Sequence, residues 1–229
     1  MLIAEILPLI LCVVFFKKLR QKELKVFFFY ECILFLFIVI DSLILPFYSI
    51  KQYYWIVIQT YLIIEYSLVS AFFYFLYQNT IIKKVAILTA LLYIFLNCSF
   101  FFYDHQTGFN YSIVLEVFLI ILNSIYYFFE KIRKVEIEPI YFRLSFWIVV
   151  GFFIYASGNI FAFVYRENYV SEKSSLHQLA IIYGFVTLSK NLIFSSAIIF
   201  GKEPKKQQEN ISVPENLYLD DFPSNDNTA

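Results

Sequence analysis

Apolar runs about as long as a bilayer is thick constrain this chain more than anything else in it. Seven of them fall at 2–17, 26–50, 52–77, 83–103, 110–130, 141–165 and 176–200. About 20 apolar residues in a helix rise about 30 Å, the depth of the hydrocarbon core. Lipid offers the backbone no hydrogen bonds, so a spanning segment must satisfy its own. Composition agrees: 60% of residues are hydrophobic, 22% aromatic and 16% charged, with a mean hydropathy of +0.68. A soluble domain carries about 25% charged residues. The expectation is an all-α integral membrane bundle of seven transmembrane helices over residues 1–200. A polar tail, 201–229, follows it.

Charge sets a direction. Suppose the N-terminus lies outside. One side then holds Lys17, Lys18, Arg20, Lys22 and Lys25, then Lys83 and Lys84. It also holds Lys131, Arg133, Lys134 and Arg143, then Lys202, Lys205 and Lys206. The other side holds Lys51, Arg166 and Lys173. Fourteen against three is a strong positive-inside signal. The N-terminus is expected outside and the C-terminus in the cytoplasm, in a multi-pass protein of the inner (plasma) membrane. Net charge is zero, so no basic surface argues for nucleic acid.

Segment ends carry further readings. The first run has no positive region before it and no small-residue cleavage site after it, so it reads as a retained helix. Lys51 marks a tight turn between the second and third runs, and Asp104–Gly108 a plain loop between the fourth and fifth. The tail has three Lys against six Asp or Glu, is rich in Gln, Asn and Pro, and is expected to be disordered and cytoplasmic. Its patch 216–222, Leu, Tyr and Phe among acids, either lies back on the bundle or docks a cytoplasmic signalling protein. Cys12, Cys32 and Cys98 fall in three different apolar runs without CxxC spacing and read as small apolar residues.

Polar side chains inside the runs point to the functional centre. Lys190 lies near the middle of the last one. A cation at that depth costs at least about 2.5–3.5 kcal/mol unless it finds a partner. It therefore faces inward, beside the stripe Tyr183, Thr187, Asn191 and Ser195. Glu65 is about midway along the third run, Asp41 just off the middle of the second, and Glu116 in the outer third of the fifth. Glu5 and Glu31 read as interfacial. Glu65 is the preferred partner of Lys190 and Asp41 the second choice. Ser112, Glu116 and Asn123 share a face; so do Thr89, Tyr93 and Asn97. Gly151, Tyr155, Gly158, Asn159 and Ala162 make a small-and-polar face suited to helix packing. The expected ligand-binding set is Asp41, Glu65, Glu116, Asn159, Tyr183, Thr187, Lys190 and Asn191.

Much chemistry is missing. There is no HExxH, no His/Cys zinc spacing, no Gly-rich phosphate loop and no GxSxG. Nothing in the sequence requires a metal or a cofactor, and no catalytic residue is assigned. Retinal proteins of the microbial rhodopsin family have a Lys in helix seven. Here Val186 stands four residues before Lys190 where that family has Asp, and 53–59 lacks its Arg and Asp motif.

Three stretches carry a different resemblance: Tyr61–Glu65; Phe146–Gly151 running on through Tyr155–Asn159; and Lys190–Phe194. They resemble uncharacterised seven-helix membrane proteins of bacteria, some of which are similar to the membrane portions of sensor histidine kinases. That resemblance implies a sensory or signalling association. No kinase domain fits in the 29 residues after the last run, so signalling would pass through a partner. The sequence thus points to a non-enzymatic sensory subunit with a polar intramembrane pocket. The alternative is a small transporter or proton-coupled carrier.

Overall fold

A computed structural model describes residues 2–44, 51–103, 105–133, 139–169 and 173–202. The tail from 203 onward, residues 45–50 and Asp104 lie outside the described residues; Lys51, where the tight turn was expected, is the first residue of the third helix. Among the described residues there are seven α-helices and no strand. They are α1 (Leu2–Val14), α2 (Lys22–Val39), α3 (Lys51–Leu76), α4 (Thr80–Tyr103), α5 (His105–Ile132), α6 (Leu144–Tyr169) and α7 (Lys173–Phe200). Stretches within five of them, α3 to α7, are long and apolar enough to cross a membrane; α1 is shorter.

The exterior shows what surrounds them. Ile87, Leu88, Leu91, Leu92 and Phe95 of α4 are exposed, as are Phe185, Leu188, Leu192 and Ile199 of α7. Meanwhile Glu31, Gln59, Glu65, Asn97, Ser112, Glu116, Lys190 and Asn191 are buried. A water-soluble chain could not tolerate so large an apolar surface. In lipid that surface costs nothing, and polar groups turn inward to find partners. This is a multi-pass membrane protein.

Each helix packs on the next in sequence, and α7 packs on α1, so the helices close a ring; α3 also touches α5. The α6–α7 contact is close because glycine permits it. A Cβ on Gly151 would come within 2.4 Å of the Phe194 ring, and one on Gly158 within 2.4 Å of a Val186 methyl. These two glycines belong to the small-and-polar face read from the sequence.

The end of the bundle that carries Lys18, Lys83, Arg143 and Lys202 is tied by backbone groups. Lys18 Nζ donates to the Ile198 and Ile199 carbonyls at 3.2 and 2.8 Å. It thereby satisfies orphan acceptors at the C-terminus of α7, where a cation is favoured. Lys202 N donates to Phe142 O at 2.8 Å, and Leu144 N to Lys202 O at 3.3 Å. Between α3 and α4, Glu130 of α5 accepts from the Gln78 and Asn79 amides at 3.2 and 3.3 Å. Asn79 Oδ1 accepts from Ile81 N at 2.9 Å, a side-chain cap for α4.

Two boundaries differ from the expectation. His105–Gly108, read as a loop, forms the first turn of α5. Gly108 alone costs about 1 kcal/mol in a helix, too little to halt one that the apolar run behind it stabilises. The second helix begins at Lys22 rather than at 26, and gives way at Ile40–Ile44 to a stretch of π-helix. That shift relocates two acids. Glu31 moves from a helix end to near the middle of the 18-residue α2. Asp41 moves from mid-helix into the π segment, where it is exposed.

Candidate functional site

The centre of the ring holds four ionisable side chains almost wholly removed from the surface. Glu31, Glu65, Lys190 and Glu116 are 1, 3, 2 and 4% exposed. Helical spacing explains how each arrives. On α2, Phe27, Tyr30 and Glu31 follow the i, i+3, i+4 rule and share a face. On α3, Leu62, Glu65, Tyr66 and Val69 do the same, and on α7 so do Val186, Lys190 and Phe194.

Lys190 and Glu65 come to the same place, but they do not touch as an ion pair. Lys190 Nζ donates to the Tyr30 hydroxyl at 3.4 Å, and that hydroxyl donates to Glu65 Oε1 at 3.2 Å. A neutral hydroxyl stands between the charges and serves both, accepting from one and donating to the other. Tyr61, one turn before Glu65 on α3, lies near the same carboxylate. The expected pairing therefore acquires a relay that the sequence reading missed. No feature of the sequence marked Tyr30, one Tyr among nineteen.

Aromatic rings complete the surroundings of the ammonium. Its nitrogen lies 4.5 Å from the Tyr155 ring centroid, 5.7 Å from that of Tyr30 and 5.9 Å from that of Phe194. Each ring face presents negative quadrupole to the cation, worth about 0.5–2 kcal/mol when desolvated. Toward the basic end the rings continue without a polar break. Phe27 meets Phe194 at 5.0 Å, Phe152 meets Phe194 at 5.2 Å, and Phe72 meets Phe152 at 5.7 Å. These four rings form an apolar layer beneath the charged centre.

The opposite direction is polar. Tyr93 Oη donates to Glu116 Oε2 at 3.4 Å, and Glu116 in turn acts electrostatically on Glu65. One turn farther from the basic end on α4 and α5 stand Asn97 and Ser112. Gln59 Nε2 of α3 donates to Asn97 Oδ1 and, at 3.1 Å, to Ser112 Oγ. Gln59 was not singled out in the sequence, because a lone Gln near a helix start usually faces water.

The other expected residues divide. Asn191 is buried beside Lys190, and Asn159 is buried and close enough to the Tyr155 side chain to influence it. Tyr183 and Thr187 are half-buried on the same helix, with Tyr183 felt by Tyr155. Asp41 lies outside the cluster, exposed in the π segment. Glu31, taken as interfacial, belongs to the cluster and is felt by Lys190 and Glu65.

Three grooves of about 520, 500 and 250 Å³ open on the outside of the bundle, and their linings are mostly apolar. None of the four buried ionisable residues lines them. Among the described residues, no three His, Cys, Asp or Glu gather to hold a metal. The chain matches no family model, no curated protein and no solved structure.

Proposed function

We propose that this chain is a non-enzymatic sensory or signalling subunit of the cell's inner (plasma) membrane. In this reading it crosses the membrane seven times, with its N-terminus outside and its C-terminus in the cytoplasm. The observation that carries the reading is the indirect contact between Lys190 and Glu65. A direct buried ion pair would be a fixed tie, strongly destabilised by loss of either partner. Here one base faces three acids, and its nearest polar contact is a hydroxyl. Several arrangements of similar energy are then available, and a ligand or membrane state that favours one shifts the population.

Helix α7 carries the base at its middle, and Lys18 and the α6 backbone hold its basic end. A change at Lys190 therefore reaches the membrane face where Lys and Arg concentrate. The cytoplasmic partner would dock there or on residues 201–229. The resemblance of Tyr61–Glu65, Phe146–Gly151 with Tyr155–Asn159, and Lys190–Phe194 to uncharacterised seven-helix bacterial membrane proteins, some of them similar to the membrane portions of sensor histidine kinases, supports the same reading.

The test replaces the chromosomal gene with a Lys190→Met version and compares transcription under envelope, pH and osmotic stress. The expected result is a lost response even when expression is raised until the variant matches the parent's membrane abundance, since the substitution also costs stability. Unaltered transcription under every stress would leave the buried charges a role in assembly only.

A second reading, a proton-coupled carrier, draws on the polar path from Gln59 through Glu116 to Glu65. Reconstituted vesicles with an imposed pH gradient separate the two. Flux that disappears in Glu65→Gln would replace the sensory reading; vesicles that hold their gradient support it.

A further inference from the structure

One group of polar atoms at the centre has no partner. The Phe27 and Phe194 rings meet at 5.0 Å and Lys190 reaches Tyr30. Helices α2 and α7 therefore run antiparallel, with 27 opposite 194 and 30 opposite 190. One residue further along a helix turns the side chain by about 100°. For a facing antiparallel pair, that step swings both side chains to the same flank. Glu31 and Asn191 thus lean to one flank of the interface, and Ser195 stands one turn from Asn191 on the same face. Helix α1 occupies that flank, packing on both α2 and α7. Its buried Cys12 feels the charge of Glu31.

Glu31, Asn191 and Ser195 are 1, 1 and 5% exposed. Both Glu31 oxygens, both polar atoms of Asn191 and Ser195 Oγ lack a hydrogen-bond partner among the described residues. A buried polar atom left so costs about 1–3 kcal/mol, and native interiors rarely leave many. Five of them on one flank call for a guest.

The charges around it narrow the kind of guest. The titratable groups near enough to interact with Glu31 are Lys190, Glu65, Cys12 and its chain neighbours Tyr30 and Cys32. Lys190 is already engaged through Tyr30 with Glu65. Glu31 then has no cation of its own, and four of the five unpartnered atoms are oxygens. One carboxylate among neutral oxygen donors balances a single positive charge; a divalent ion there would leave a net charge buried, which is costly. We propose that Glu31, Asn191 and Ser195 form a site between α1, α2 and α7 for a small monovalent cation, an alkali ion or ammonium. The site deepens the sensory reading, on which its biological consequence rests: occupancy would set which acid Lys190 serves.

Ion binding is tested on the full chain in mild detergent, independently of any response in cells, so the two readings fail separately. Thermal unfolding is followed while N-methylglucamine chloride is exchanged for sodium, potassium or ammonium chloride at constant ionic strength. The expected result is a saturable rise in Tm of several degrees with at least one of the three. Glu31→Gln abolishes the rise, and Ser195→Ala shifts its midpoint several-fold to higher concentration. Should Glu31→Gln not fold, the Ser195→Ala shift decides. A flat response of the parent protein to all three salts overturns the proposal and leaves a hydrated, protonated carboxyl. A rise that is unchanged in both variants places the ion elsewhere and overturns it equally.

Discussion

The two sides of the charged centre are built from opposite materials. Toward the basic end, Phe27, Phe72, Phe152 and Phe194 pack ring against ring, each no more than 1% exposed. Toward the other end, Tyr93, Glu116, Asn97, Ser112 and Gln59 pass hydrogen bonds between α3, α4 and α5. The aromatic side is held by shape and excludes water. The polar side is held by directed bonds that a proton or an ion can rearrange. The contrast teaches that the charged centre lies between a close-packed layer of rings and a hydrogen-bonded polar group.

Breaking the aromatic layer is expected to have the largest effect. Phe152→Ala removes a ring that touches Tyr30, Phe72 and Phe194. A loss of about 3–5 kcal/mol is expected, read as a lower unfolding midpoint in detergent. Next, Lys190→Met leaves three acids without their base and should cost about 3 kcal/mol. Adding Glu65→Leu to it should recover most of that loss, whereas an additive double variant would show that the relay through Tyr30 couples nothing. Gly158→Ala drives a methyl against Val186 and should cost about 1–3 kcal/mol by overpacking. The same measurement on a Gly158→Ala, Val186→Ala pair should restore much of it. Tyr30→Phe keeps the ring and deletes only the hydroxyl between ammonium and carboxylate. A loss of about 1–2 kcal/mol is expected, and a neutral result would mean that Lys190 finds Glu65 or Glu31 directly. Smallest is Asp41→Asn, on the exposed π segment, which should stay within about 0.5 kcal/mol of the parent.

The outcome for Asp41 and Glu31 shows where sequence reasoning stopped. Both are single acids in one apolar run, and the run alone does not say where its helix begins. Starting it four residues earlier, at Lys22, made one acid central and the other peripheral. Charged residues at a helix start fit either a loop or a first turn at the membrane surface, so Lys22, Glu23 and Lys25 are silent on the choice. Glu65, Lys190 and Asn191 were legible because each interrupts a long apolar run far from its ends, and Glu116 because it shares a helix face with Ser112 and Asn123. Tyr155 was read as part of a packing face but not as a neighbour of Lys190; Tyr30 and Gln59 were not legible, since a Tyr among many aromatics and a Gln near a helix start carry no signal of burial. The tail patch 216–222 lies outside the described residues.

The order of apolar runs was enough to make this chain helical and to place it in lipid, because an unpaired peptide group in hydrocarbon costs too much for any other local solution. The same physics required its mid-run charges to face inward. Which acid meets the lone central base was decided only by packing. Helix rotation put Tyr30 between Lys190 and Glu65, and Gly151 and Gly158 let α6 and α7 approach closely. A rotation of one residue about either helix axis would have given a different set of neighbours from the same sequence.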